Sequence, residues 1–522
     1  MNVTASPVTV MTECGSYPSR QTMETKIKSR SIWMLLIGMF AFCFLAISYA
    51  SVMAPLSPFE TREGRKLPTP SGRGRILSAD GRVLAATLVK DAGTFAQKET
   101  RVYPNGDMAG QLLGVMGASE GLEGLEHDYQ DHLAAGQDLT LTIDTHLQAV
   151  TEAELQKKAL EERAEYAAAI VMETRTGRLL AVASWPPSNP GKWKETPMRN
   201  RRNRAFIDRF EPGSVIKSLT VAAALDDGII KPDQVLDTPM ARYVGKRWGS
   251  TIRDSVAHGP RLTIQNVLRY SSNVGISHIV EPYTNEKFRA RLSQFGIGTA
   301  PELPVVTASN GILRPIERWD TLVRTTNGFG QGMSTTLLQM AVAYNVLGNH
   351  GVYLPPRLNA ADPVGTGRRV VRSETARTVR EMLRMTIELG IPHRALLEGY
   401  DLGGKTGTAQ FATAGGYSSE IYESTYAGFY PSTNPEITIA IMAHGARGEY
   451  HGADLAAPVY REIVASYASS RGHRPDPGLE AEQRVIQMDR NEGKYRDGTV
   501  DRAPMPSREE LLKTTRAQGS AP

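Results

Sequence analysis

The stretch Phe210–Leu225, FEPGSVIKSLTVAAAL, decides how the rest of this 522-residue chain is read. Pro212 and Gly213 announce a helix start, and the residues from Val215 onward continue as an apolar helix suited to a protein interior. On that helix Ser214 and Lys217 stand three apart, on one face and within reach of each other. A serine hydroxyl is a poor nucleophile until a neighbouring base takes its proton. A lysine can be that base where burial and nearby cations favour the neutral amine. The helix N-terminus adds a positive field where anionic charge develops.

Two further short motifs follow. Ser271-Ser272-Asn273 comes after the helical pattern Leu262–Tyr270; Ser271 is suited to pass a proton between a leaving group and the lysine, and Asn273 to hydrogen-bond a substrate amide. Gly404-Lys405-Thr406-Gly407-Thr408 has two readings. Gly399–Thr406, GYDLGGKT, satisfies the phosphate-loop pattern G-x-x-x-x-G-K-[ST], which requires a strand before it and a helix after it. Here a helical pattern, Glu374–Leu397, precedes the motif, and TAQFATAGGYSS reads as a strand followed by a glycine-rich loop. Read as a strand, the motif projects Lys405 and Thr408 along a sheet edge facing Ser214, and Gly407 leaves space for a peptide to approach. Thr406 and Thr408, with Lys405, are suited to a substrate carboxylate, and the Thr408 and Ser214 N–H groups to an oxyanion hole.

Working outward, residues 31–59 carry no charge, and Ile32–Ala54 is mostly apolar, long enough to span a bilayer core of roughly 30 Å. Basic residues number four before the span and three after it, too even to set its orientation. Residues 1–30 are polar and expected to be unstructured, and Pro55, Pro58, Pro68 and Pro70 make an extended linker. Gly72–Ala86 reads as two strands about Asp80-Gly81, Leu139–Ile143 as a strand, Thr145 to about Arg163 as a helix, and Ala167–Ser184 as a second hairpin. From Arg471 on, 19 of 52 residues are charged and one is aromatic, so that tail is expected to be disordered, with one short helix near Ser507–Thr515, and dispensable. Net charge is +5 without a basic stripe, which argues against nucleic acid. Cys14 and Cys43 both precede the large downstream part, which leaves it no disulfide framework and no cysteine-based zinc site. His444 and His451 are weak metal candidates; no metal or cofactor is expected.

S-x-x-K, S-x-N and K-T-G, spaced by 57 and 134 residues, form in this order the signature of penicillin-binding proteins and class A β-lactamases. Gly121–Glu126 (GLEGLE), Leu139–Gln148, Asn203–Phe206, Gly330–Met340 (GQGMSTTLLQM), Tyr426–Pro431 and Ala456–Ile463 also resemble stretches of class B penicillin-binding proteins, so the resemblance runs from about Arg73 to Ser470. FEPGS and GQGMS lean towards the division-specific over the elongation branch. The resemblance implies an α+β fold: an antiparallel sheet with helices, on a small β-rich pedestal, after one transmembrane helix. It divides the chain into a cytoplasmic tail (1–30), membrane helix (31–54), pedestal (55–150), transpeptidase domain (151–470) and tail (471–522). It also implies a single-pass protein of the cell (inner) membrane, with its catalytic domain periplasmic or extracellular. Only 159 residues lie between the span and Ser214, short for this class, so the pedestal is expected to lack part of the usual head region.

The activity implied is a D,D-transpeptidase acting on peptidoglycan stem peptides. Ser214 is the nucleophile, with Lys217, Ser271 and Lys405 catalytic and Asn273, Thr406, Gly407 and Thr408 binding substrate. β-Lactams are the implied inhibitors, and a membrane glycosyltransferase, with other division or elongation proteins, the implied partners. The alternatives are a β-lactamase or penicillin sensor of the same fold, or a non-catalytic division scaffold. For a β-lactamase, the acids near the right distance after S-x-N are Glu302, Glu317 and Asp320, and neither glutamate lies in an E-x-x-L-N setting.

Overall fold

The Asp80-Gly81 turn joins β1 (Ile76–Leu77) to β2 (Val83–Lys90) as an antiparallel pair. β3 (Lys98–Val102) adds to the other edge of β2, and β4 (Leu139–Thr140) runs parallel to β1. This four-stranded sheet, order β3-β2-β1-β4, is the pedestal. Its polar centre is Glu126, fully buried between the guanidinium groups of Arg73 and Arg101, each 2.7 Å away. Two cations around one buried carboxylate satisfy its oxygens where water cannot. The strand expected over Leu139–Ile143 stops at Thr140, because the chain leaves the sheet to tie the next domain: Leu141 bridges to Asn359, and the Thr142 hydroxyl donates to Leu179 O at 2.7 Å.

The computed structural model describes residues 72–90, 98–245, 249–303, 308–391, 393–413 and 416–491, together with Met39. The expected membrane span and the short helix near Ser507–Thr515 fall outside these residues. Among the described residues no helix is long and apolar enough to cross a membrane.

Asp144 caps α1 (Thr145–Glu161), its carboxylate accepting from Leu147 N at 2.9 Å. The boundary expected at residue 150 lies inside this helix. Leu147 and Leu155 of α1 belong to the hydrophobic core beneath the large sheet, while Ile76 and Leu84 of the small sheet share the other core with α2. That sheet contains β5 (Tyr166–Glu173), β6 (Leu179–Trp185), β7 (Gly403–Thr413), β8 (Gly416–Tyr430) and β9 (Ile437–His444). All neighbours are antiparallel, in the order β7-β8-β9-β5-β6. The period of two along β5 assigns each side chain a layer. Ala168, Ile170 and Met172 face one core with α2 (Ile216–Asp226) and α4 (Leu337–Gly348). Ala167, Ala169 and Val171 face the other, with α1 and α6 (Ala456–Ser470). A sheet covered on both faces needs strands that are apolar throughout, and β9 is buried at every residue. The result is the expected α+β fold.

Between α2 and α4 lies α3 (Asn273–Val280), and α5 (Ser373–Leu389) packs against β7. The chain beyond Arg471 departs from the disordered tail expected of it. Pro477–Asn491 forms a helix, α7, lying on α5. Leu479 and Ile486 are buried, and so are the polar Glu482 and Gln483. Gln483 Oε1 accepts from Gly399 N at 2.9 Å and its Nε2 donates to Tyr400 O at 3.1 Å, so α7 grips the segment that leads into β7. Composition hid this helix because two of its four buried positions are polar, Gln483 being satisfied by backbone and Glu482 facing Arg384.

Ending the chain at Arg474 removes α7. Burial of two large aliphatic side chains contributes about 1.5–3 kcal/mol each, so the shortened protein is expected to unfold at a clearly lower temperature in a thermal melt. An unchanged midpoint would mean that α7 adds nothing to the domain.

Candidate active site

Ser214 lies in a 3₁₀ turn, Gly213–Val215, that leads directly into α2. Three glycines allow the turn its position. Gly213 has φ +60°, a conformation that L side chains resist. A Cβ on Gly330 would lie 2.2 Å from Gly213 O; this bare backbone lets the GQGMS loop run beneath the turn, with Gly213 N donating to Gly330 O at 3.0 Å. A Cβ on Gly407 would lie 2.3 Å from Thr425 Oγ1 and 2.7 Å from Pro212 O, with Ser214 N at 3.4 Å. The space expected at Gly407 for a peptide is therefore filled by the protein's own turn. Two groups missed by sequence reasoning fasten this region. Glu211 Oε1 accepts from Gly332 N at 3.0 Å, and the Tyr344 hydroxyl donates to Val215 O at 2.8 Å.

From Ile216 to Leu225 every residue of α2 is buried, Lys217 included, at 0% exposure. Its Nζ contacts both the backbone oxygen and, at 3.1 Å, the hydroxyl of Ser271; among the described residues these are its hydrogen bonds. Burial, followed by the nearby Lys405 cation, pushes the Lys217 amine well below the ordinary lysine range, while Asp254 works in the other direction. Ser271 is held at φ +56°, which is uncommon for a residue with a Cβ. Asn273 is the first residue of α3; its Nδ2 donates to Arg253 O at 2.8 Å, which fixes the plane of the amide.

The third motif lies on β7, the edge strand of the sheet, as the strand reading requires. The phosphate-loop reading fails on topology: α5 and a 3₁₀ turn precede the motif, and a strand hairpin follows it. Lys405, at 1% exposure, shares a strand face with Gly407, whose missing side chain points at the nucleophile's turn. Its Nζ donates to Thr406 O at 3.0 Å, and burial pushes its amine down to about 7. Thr408, three residues on, falls on the opposite face from Lys405, together with Thr406. The expectation that Lys405 and Thr408 project alike is thus corrected by the period of the strand. Thr408 Oγ1 accepts from Gly452 N at 3.1 Å. From behind, the Thr386 hydroxyl of α5 donates to Gly404 O at 2.7 Å.

The acids that a β-lactamase reading would need lie elsewhere. Glu302 and Glu317 are exposed, and Asp320 caps a helix through Val323 N at 2.7 Å. His444 pairs with the buried Glu423 at 2.7 Å, and the His451 ring packs on Tyr450.

With this geometry in place, comparison with known proteins is direct. The model of the penicillin binding protein transpeptidase domain matches residues 167–465. The chain is 29% identical over 469 residues to the peptidoglycan D,D-transpeptidase FtsI of Escherichia coli K12, covering 84% of this chain and 79% of that one. It is 33% identical over 441 residues to the penicillin-binding protein PbpB of Mycolicibacterium smegmatis, covering 73% and 67%. Among solved structures, penicillin binding protein 3 of Mycobacterium tuberculosis, complexed with aztreonam, superposes with a TM-score of 0.73 at 30% identity, over 79% of this chain and 98% of that one. The fold thus has its counterpart in known proteins, and the chain belongs to the penicillin-binding protein transpeptidase family, on its class B, division-type branch.

Proposed function

We propose that the protein cross-links peptidoglycan stem peptides during division through an acyl-enzyme on Ser214. The observation that carries the assignment of roles is the Lys217 amine: wholly buried, seated on Ser271 and biased towards its neutral form. Ser214 Oγ attacks the penultimate D-Ala carbonyl and gives its proton to Lys217. The new C–O bond forms as the C–N bond to the terminal D-Ala breaks. Ser271, in contact with Lys217, passes the proton to the departing amine, so D-Ala leaves neutralised. An amine from a neighbouring strand then attacks the ester, the C–O bond breaks, and the proton returns to Ser214. Asn273 orients the donor peptide's amide; Thr406 and Thr408, on one face of β7, hold its carboxylate, Lys405 stands on the other face, and Gly407 lets β7 close against the nucleophile's turn. The Ser214 and Thr408 N–H groups hold the oxyanion.

The apolar run 31–54 is the anchor in the cell membrane, with the N-terminus inside and the domain outside. A membrane glycosyltransferase supplies the glycan strands, since residues 55–150 are too few for a polymerase domain. β-Lactams act as mimics of the donor peptide. The M. tuberculosis relative whose structure holds aztreonam supports this, and so does its ampicillin complex.

Fluorescent penicillin is expected to label the wild-type protein as an adduct that survives denaturing electrophoresis and disappears in Ser214→Ala. Loss of a general base for ester hydrolysis typically costs about 10²–10⁴ in rate, and neither Glu302 nor Glu317 lies in the E-x-x-L-N setting of such a base. Rapid turnover of penicillin without a trapped adduct would instead identify a β-lactamase.

Lys405 also makes a prediction about stability. Its amine is near 7 when folded and near 10.5 when unfolded, so between these values the unfolded chain binds the extra proton. This contribution to stability is lowest below about pH 7 and rises as pH climbs towards 10.5. Thermal melts of the ligand-free protein are expected to gain more between pH 7 and 10 in the wild type than in Lys405→Met. Parallel curves for the two proteins would show that Lys405 is not held neutral by burial.

A further inference from the structure

Directly after the short strand Ser250–Arg253 comes Asp254, with a side chain 1% exposed. No motif marks it, yet its carboxylate collects four hydrogen bonds at the start of α3. Oδ1 accepts from the backbone N–H groups of Asn273 and, at 3.0 Å, Val274. Oδ2 accepts from the Ser272 hydroxyl at 2.6 Å and faces His258 Nε2 at 2.8 Å. The Ser272 hydroxyl in turn accepts from Gly275 N at 2.8 Å. One carboxylate and one hydroxyl therefore satisfy the first three N–H groups of a helix that has no earlier carbonyls to receive them. Two of the three residues of the second motif are tied directly to Asp254. The remaining one, Ser271, sits in the left-handed conformation, which persists only where its surroundings over-determine it.

Behind Asp254 the ring of His258 is fully buried. Its Nδ1 lies 2.7 Å from Gly259 O, and its Nε2 lies against the carboxylate. The carboxylate only accepts, so Nε2 faces it as a fourth donor. The result is a buried histidine–carboxylate pair behind the motif. The charges acting on the Lys217 amine are Lys405 from β7 and Asp254; the neutral Ser271 from the start of α3 touches it. His258 faces Asp254, its ring centroid lies 5.9 Å from that of Tyr270, and the Arg269 guanidinium lies over the Tyr270 ring, 4.7 Å from its centroid.

We propose that Asp254, braced by His258, is a positioning residue of the transpeptidation site: it fastens the Ser271–Asn273 turn and balances the positive charge around Lys217. The proposal rests on the acyl-transfer reading of Ser214 and Lys217 given above. It makes a prediction that a merely structural cap would not. Removing the carboxylate strips away the charge that favours the protonated lysine, so Lys217 stays neutral to lower pH. Removing the His258 ring takes a donor from the carboxylate, leaves its charge less engaged and does the reverse.

The test is the second-order rate of acylation of the full chain by fluorescent penicillin between pH 5 and 9, for wild type, Asp254→Asn and His258→Gln. Both variants are expected to be slower, Asp254→Asn by about ten- to a hundredfold, since small displacements of a positioned group carry losses of that order. The acidic limb of the rate profile is expected to move to lower pH in Asp254→Asn and to higher pH in His258→Gln. Slower rates with both limbs unmoved, limbs moving in the same direction, or no change in either variant would each overturn the proposal. Should Asp254→Asn fail to fold, His258→Gln decides alone: its limb moves up, or the proposal fails. A wild-type protein that penicillin does not acylate would defeat the acyl-transfer reading itself, and is thereby distinguished from a failure of this inference.

Discussion

The rest of the structure depends on a single primary amine being kept away from water. A lysine at 0% exposure in the middle of an apolar helix carries a large penalty if charged. The fold makes no attempt to cancel that penalty with a salt bridge to Lys217. It surrounds the amine with a serine, a second buried lysine and a carboxylate occupied by four other donors. An amine so placed is biased towards its neutral, proton-accepting form, three residues from the Ser214 hydroxyl. The buried helix, the edge strand and the capped α3 turn can each be understood as a wall of the chamber that keeps this amine dry.

The walls meet through backbone more than through side chains. Gly213, Gly330 and Gly407 are sites where a methyl group would collide with another chain segment, and they bring the nucleophile's turn, the loop beneath it and the edge strand within van der Waals distance. Close backbone approach of this kind leaves the polar groups of an edge strand beside the reacting hydroxyl with no intervening side chain to move. Preorganisation of that sort reduces the rearrangement needed when charge develops.

Much of this was legible in the residues, and what escaped has physical reasons. The hairpins around Asp80-Gly81 and Thr174–Gly177, the helix after Asp144 and the strand character of the lysine-threonine-glycine motif all carry local signals that tertiary structure had no cause to override. The three site motifs were visible because each is contiguous. Asp254 was not, because a single acid in a loop has no pattern; its role comes from being brought beside α3, eighteen residues from the serine it holds. α7 was missed because Glu482 and Gln483 read as solvent-facing residues, whereas the latter spends its amide on the backbone of Gly399 and Tyr400. Gly407 was understood as open space, although the chain itself supplies the occupant. Alternation along β7 separates Lys405 from Thr408, a distinction that the sequence already contained in its spacing of three.

The order of strands in the large sheet has a consequence for how the chain reaches its native state. β5 is bracketed by β6, its immediate successor, and by β9; the pair Thr174 and Thr438 meets across 264 residues. A ribosome or a translocation channel delivering this chain from its N-terminus exposes β5 and β6 long before β9 exists. Until then the hairpin has an open edge of unpaired backbone groups and two uncovered, mostly apolar faces. Such non-local pairing is slow to form and vulnerable to aggregation. A domain wired this way cannot close its core early: β5 waits for a partner made some 264 residues later, and the sheet is complete only when nearly all of the domain exists.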